Sequence, residues 1–279
     1  MQGYVRLNLL KQILAVPSRS RQEEQMVAFL TSHVREVGGR RRGRCWSDEF
    51  NNVYVIKGSA EHYPCVAAHI DTVHPMKPVK IVQQDGMLVG YDERGQRTGI
   101  GADDKAGVFL CLELLERFDN IAVGLFAQEE IGFVGAQHAQ PEFFERVGCV
   151  LDFDAPANGL VSYTSGGVRL FRNDGDFIRA AMPVLEQFGF TRFQHHPFSD
   201  VKAVRQRFGL SCLNLSAGYY NWHGHDEYVK LADVGNALAM ATELVPALGE
   251  RRYHEDAIAA DDAEPPMEVT GLRIPTESE

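Results

Sequence analysis

The sequence has no CxxC pair, and its five cysteines (Cys45, Cys65, Cys111, Cys149 and Cys212) are scattered along 279 residues. That excludes a thiolate zinc site and argues against a disulfide framework. Most of them sit in apolar runs such as "PCVAAH" and "VFLCLELL", where they read as small buried hydrophobes in a reducing compartment. Long apolar runs are also missing. None approaches the roughly 20 residues of a membrane span, and the N-terminus has no signal-type apolar region. No membrane partner is expected, and the cytoplasm is the expected location. Positive charge is scarce: 28 Lys and Arg stand against 38 Asp and Glu, a net charge of −10. Nucleic-acid binding needs basic footprints that displace counterions, so it is not expected. The one exception, "GGRRRGRC" from Gly38 to Cys45, reads as a solvated loop after a helix. Internal repeats are absent.

What is present is an ordinary globular composition, 44% hydrophobic and 24% charged, long enough for a sizeable core. "VRLNLLKQILAV" has helical spacing and stops at Pro17, and "SRQE" from Ser20 to Glu23 has the pattern of a capping box before a second helix. "NNVYVIKG", "YPCVAAHID", "IAVGLFAQEE", "GCVLDFDAP" and "LSCLNLSAG" read as strands, several nearly all apolar and so central in a sheet. "VKIVQQDGMLVGY" and "LVSYTSGGVRLF" read as hairpins. Helices are expected at "DKAGVFLCLELLERF", "DFIRAAMPVLEQFGF", "SDVKAVRQRFG" and "LADVGNALAMATELVPAL", with a short one restarting at Pro141. The alternation predicts an α/β fold: a mixed, mostly parallel central sheet with helices on both faces, in a single domain over residues 1–249. From 250 to 279 the chain turns acidic, polar and Pro-containing, and a mostly disordered tail is expected.

Polar residues gather at expected strand ends, where open α/β sheets place ligands. In "AAHIDTV", His69 and Asp71 share a strand face, and a carboxylate there can orient a metal-bound imidazole. "GADDKAG" offers Asp103 and Asp104; one acid would serve as a helix cap, but two exceed that need. Its glycines and alanines would let the backbone pass close to an ion. "AQEEIG" presents Glu129 and Glu130 in opposite directions if extended, one for a metal and one for a proton. "VLDFDAP" places Asp152 and Asp154 on one face, and a buried Asp152 would need a cationic partner. "NWHGHDEYV" supplies His223 and His225. Carboxylates with imidazoles suit zinc, manganese or cobalt. A carboxylate-rich set suggests two ions about 3.5–4 Å apart, sharing one acid and activating a water. Residue types alone leave Asp103 against Asp104, and His223 against His225, undecided.

In this order the motifs "HIDTV", "GADDKAG", "EE", a strand-end Asp and "HGHDEYV" resemble the co-catalytic zinc exopeptidases. The wording is similar to the peptidase T and carboxypeptidase G group, with glutamyl and leucyl aminopeptidases as relatives. The resemblance runs from the first helix through Leu248 and implies a zinc-exopeptidase type of fold. It implies His69 as ligand of one metal, Asp71 as its orienting group and Asp103 as the bridging acid. It implies Glu129 as general base, Glu130 as ligand of the second metal, Asp152 as ligand of the first and His223 as the last ligand, four positions before Glu227. His225 is a lesser candidate. The lid domain of that group, which helps dimerise it, does not fit: the segment between Asp154 and Asp200 is too short. Oligomeric state is therefore not set, and the layout is similar to single-domain aminopeptidases, as is the "FSDVKAV" turn.

The activity expected first is two-metal hydrolysis of small peptides by an aminopeptidase, with Asp154 holding the substrate amine. An N-acyl amino acid deacylase or carboxypeptidase would instead need a cation for a substrate carboxylate, with Arg169, Arg172 and Arg192 as candidates. A non-catalytic metal-binding protein would have no need of Glu129. His195 and His196 fit a surface loop better than oxyanion stabilisation.

Overall fold

The fold is that of a computed structural model, which describes residues 5–38, 43–196 and 198–253. Its centre is β3 (Tyr63–His69), buried at every position as its apolar run requires. β7 (Ile121–Phe126) and β8 (Val147–Ala155) pair with it in parallel on either side, and β12 (Cys212–Ser216) continues the parallel set beyond β8. β2 (Val53–Lys57) and β1 (Gly43–Ser47) extend one edge antiparallel; β9 (Leu160–Ser165), β10 (Val168–Arg169) and β11 (Arg192–His196) extend the other. The result is a nine-stranded mixed sheet. A second sheet joins β4 (Lys80–Gln84), β5 (Met87–Tyr91), β6 (Arg97–Thr98), β13 (Tyr219–Tyr220) and β14 (Tyr228–Lys230). The β4–β5 turn is the expected Asp85–Gly86, both at positive φ, as a twist-matched two-residue hairpin demands.

Helices cover both faces. α3 (Ala102–Arg117) lies on β3, β7 and β8, backed by α1 (Leu7–Ala15) and α8 (Leu231–Leu248). α3 is buried nearly all round, so it shows little amphipathic bias. Beyond its first turn its one buried acid, Glu113, is paired by Arg6 and Arg117. α7 (Asp200–Phe208) lies on β8, β9, β10 and β12, with α4 (Val134–Gln137) against it. α2 (Glu24–Gly38) covers β1 and β2, α5 (Pro141–Phe144) begins at its expected proline, and α6 (Asp176–Gln187) packs on α8. The segment from Asp154 to Asp200 holds only β9, β10, α6 and β11, three of them strands of the main sheet, so among the described residues it forms no separate lid. Nor is any described helix long and apolar enough to cross a membrane.

Several expectations are corrected. β7 stops at Phe126, so Glu129 and Glu130 lie in a turn and not on a strand. Ser20 does not cap α2; its hydroxyl donates to Asp71, 2.7 Å away. Gly43, Arg44 and Cys45 of the basic patch open strand β1 instead of a loop, and Arg40, Arg41 and Arg42 lie outside the described residues. Past Gly249 the chain continues onto the sheet: Tyr253 donates to the Gly148 carbonyl at 2.7 Å and accepts from the Ser211 amide at 2.9 Å. The remainder of the expected tail, 254–279, lies outside the described residues.

Candidate metal centre

The site forms where β3, β7 and β8 end. Parallel pairing sets Ala67 beside Asp152. Two residues on, the same register brings His69 level with Asp154, and His69 Nε2 lies 3.5 Å from Asp154 Oδ1. Asp152 sits one step deeper on the same face, fully buried, with no hydrogen-bond partner for either oxygen. Burial pushes it up to about 7. The i, i+2 spacing puts both acids on one face, but only the strand register shows which reaches the imidazole. Asp154, expected at a substrate amine, is the acid beside His69, while Asp152, implied as a ligand of the first metal, lies deeper.

His69 is fixed from behind. Its Nδ1 lies 3.0 Å from the Asp71 carbonyl and 3.5 Å from the Asp71 carboxylate. With Nδ1 held from behind, Nε2 faces the acids, donating to Asp103 when the imidazole is protonated and free to ligate a cation when it is neutral. The Asp71 carboxylate works on other groups as well. It accepts from Ser20 Oγ at 2.7 Å, from the Glu129 amide at 2.9 Å and from the Glu130 amide at 3.3 Å. One buried carboxylate thus ties the first loop, the histidine and the two glutamates together. Ser20→Ala is therefore expected to weaken metal binding or turnover about tenfold, at the low end for an outer-shell partner. Metal titration alongside kinetics checks this, and an unchanged variant would remove Ser20 from the site.

The two adjacent aspartates divide their work. Asp103 Oδ1 lies 3.0 Å from His69 Nε2, and its Oδ2 lies 3.4 Å from His223 Nε2. Burial opposes ionisation of Asp103, but hydrogen bonds from His223 and His69 outweigh it and hold the carboxyl low. Asp104 accepts from the His69 amide at 3.2 Å and from the Gly107 amide at 3.0 Å, which caps the helical part of α3. Asp103 and Asp104 both have non-helical backbones, so the helix proper starts after them. Glu227 pins this approach: it accepts from the Ile100 and Gly101 amides at 2.7 Å each and from the Asp103 amide at 3.2 Å. The small residues serve protein packing. A Cβ at Gly107 would sit 2.5 Å from both Asp104 oxygens and 2.7 Å from the Phe153 carbonyl. Lys105 does not neutralise the aspartates; its ammonium donates to the Val16 carbonyl at 2.7 Å.

Gln128 at positive φ turns the chain after β7, and the Glu129 carbonyl then accepts from the Gly132 and Phe133 amides at 2.9 and 2.8 Å. The turn sends Glu130 to His223 Nε2, 2.9 Å away. His223 is driven up to about 10 by its hydrogen bonds to Asp103 and Glu130. The Glu129 carboxylate has no hydrogen bond to another described residue. Burial pushes it up to about 9, with Asp154, Glu130 and Asp103 adding to the rise against His69.

His225 is exposed and contacts none of these groups. Arg169 donates to Asn173, Arg172 pairs with Asp174 and Arg192 donates to the Asn158 carbonyl, so none of the three is directed at the centre. His195 lies exposed on β11, bonded to Tyr163 and Thr164 at 2.6 Å each. Sequence reasoning missed the link from Ser20 to Asp71, because Ser20 also fits a capping pattern.

Asp71, Asp103, Asp104, Glu129, Glu130, Asp152 and Asp154 thus crowd around two imidazoles. So many carboxylates cannot all ionise without added cations. Two overlapping groups, His69–Asp104–Asp154 and His69–Asp103–Glu130, keep their ligand atoms within 4.8 Å of one another. The donor set fits hard or borderline divalent ions.

The sequence profile described as Peptidase family M28 matches residues 51–244, more than half of the chain. The chain belongs to peptidase family M28. As an M28 peptidase it is a metal-dependent hydrolase of peptides. Solved structures similar to this M28 chain include aminopeptidase PepT from Bacillus cereus, at 14% identity over 87% of this chain and 97% of that one, with a TM-score of 0.74. A tripeptidase from Staphylococcus aureus matches at 14% identity over 88% and 98%, TM-score 0.75. A TET aminopeptidase from a marine sediment archaeon of the Thaumarchaeota matches at 13% identity over 86% and 95%, TM-score 0.66. At such identities the likeness is one of fold. No curated protein sequence matches the M28 chain.

Proposed function

We propose that this M28 peptidase is an aminopeptidase of small peptides that works with two divalent ions, zinc first, with cobalt or manganese as alternatives. The observation that carries the reading is Asp103, whose two oxygens face His69 and His223 at 3.0 and 3.4 Å. In this reading His69, Asp103 and Asp154 would hold one ion, and Asp103, Glu130 and His223 would hold the other. Bound there, the ions supply Lewis acidity and lower the pKa of water.

The chain's own groups do the rest. Glu129 carries a carboxylate free of protein partners beside the centre, which suits a base that takes a proton from water and returns it to the leaving amine. Asp71 holds the Glu129 and Glu130 amides, so base and ligand keep a fixed spacing. Asp104 and Glu227 hold the backbone around Asp103. The names of similar structures, an aminopeptidase and a tripeptidase, support short peptides as substrates. Four buried free cysteines support a reducing compartment, the cytoplasm.

The test compares leucyl dipeptides and leucine anilides with their N-acetylated forms, after chelation and after metal is restored. Free-amine substrates are expected to turn over at least about tenfold faster, the size of a lost charged hydrogen bond. Chelation should abolish turnover and metal should restore it. Faster cleavage of the acetylated forms would mean a deacylase, and no cleavage of any amide would mean a non-catalytic metal binder.

A further inference from the structure

Among the described residues the exposed large hydrophobic side chains are Val73, Ile131, Phe198 and Trp222. Three flank the centre in sequence: Val73 follows Asp71 by two, Ile131 follows Glu130 and Trp222 precedes His223. The other large hydrophobic side chains among the described residues are buried or partly buried, so this rim is a local feature. Phe198, 55% exposed, stacks on Phe133 with ring centroids 5.9 Å apart. Phe133 is bound to the turn of the proposed base, its amide donating to the Glu129 carbonyl at 2.8 Å.

One cation sits on this wall. The Lys202 ammonium lies 5.4 Å from the Phe198 centroid and 5.7 Å from that of Phe133. The side chain is half-buried on α7. In a chain of net charge −10 it has no acid within ion-pair distance and no side-chain hydrogen bond among the described residues. The aromatic faces hold the ammonium in place but satisfy none of its three N–H donors. A half-buried ammonium with open donors and apolar flanks suits a ligand carboxylate carried on an apolar group.

We propose that Lys202 binds the C-terminal carboxylate of a short peptide whose apolar side chains rest on the Phe133–Phe198 wall. This rests on the aminopeptidase reading. The acid-rich centre meets the amino end of the peptide and Lys202 meets its carboxyl end, so the enzyme selects chains short enough to present both. Trimming of long polypeptides, whose carboxyl end lies far away, is disfavoured.

The experiment uses the metal-loaded enzyme with dileucine and trileucine, each as the free acid and as the C-terminal amide. At one length or both, the wild type is expected to favour the acid by about tenfold in kcat/KM, mainly through KM. Lys202→Met removes that preference and Lys202→Arg keeps it. The proposal is overturned if the wild type treats acid and amide alike, a comparison that needs no variant, or if Lys202→Met keeps the preference. If the wild type cleaves the amides and shows no preference, the aminopeptidase reading survives and only the Lys202 assignment falls. If it cleaves none of the four peptides, the aminopeptidase reading itself has failed.

Discussion

Glu129→Gln is expected to keep its metal and lose about 10²–10⁴-fold in kcat, the range for removing a positioned general base. Glutamine matches the size of glutamate but cannot take a proton. The Glu129 carboxylate makes no hydrogen bond to another described residue that the amide would break, so the fold around the turn should hold through the backbone bonds to Asp71. Removing one acid from a crowded group relieves repulsion from Asp154, Glu130 and Asp103. The metal-free variant should therefore melt no lower than the metal-free wild type. Metal content per chain, single-turnover kinetics and a melting curve together test the assignment. Activity within tenfold of wild type would remove Glu129 from the role of base.

The second large effect is on metal. Asp103→Asn is expected to cost more in metal affinity than the roughly 10–100-fold typical of an outer-shell partner. Its two oxygens face two imidazoles, and an asparagine keeps only one oxygen for both. Both ions should weaken together and activity should fall with them. Asp104→Asn is the contrast. Its two oxygens accept one backbone N–H each and asparagine keeps only one of them, a cost of about 1–3 kcal/mol that relief of repulsion from Asp154 partly offsets in the metal-free protein. Its metal affinity should stay within about tenfold of wild type, as for a mild outer-shell change. Calorimetric titration and thermal melts separate the two variants. Equal metal loss from both would mean that the roles of the aspartates are wrongly divided.

Much of the fold was legible because its centre is written in apolar runs. β3, β7, β8 and β12 have little polar interruption, and α3 follows directly from its own pattern. Other strands were harder. β1, β11, β13 and β14 are short or half exposed, so no period-2 pattern marks them. At the centre, His69, Asp103, Glu130 and His223 come together as the motifs suggested. What could not be read was relative height between strands. Telling which of Asp152 and Asp154 lies beside His69 needs the β3–β8 register, a long-range fact. Ser20 failed for a related reason: a local capping pattern competed with a tertiary partner 51 positions away.

The parallel pairing of β3 with β8 bears on how this chain can tolerate insertions and deletions. His69 and Asp154 meet because two strands of fixed spacing, about 4.8 Å apart, end at the same level. One residue gained or lost within either strand would slide its side chain by about 3.3 Å and turn it to the opposite face. No rotamer change recovers that. Length variation should therefore collect in the connections between elements and be purged from the strands. A deletion scan would show this as two silent windows, 63–69 and 147–155, bounded by permissive loops.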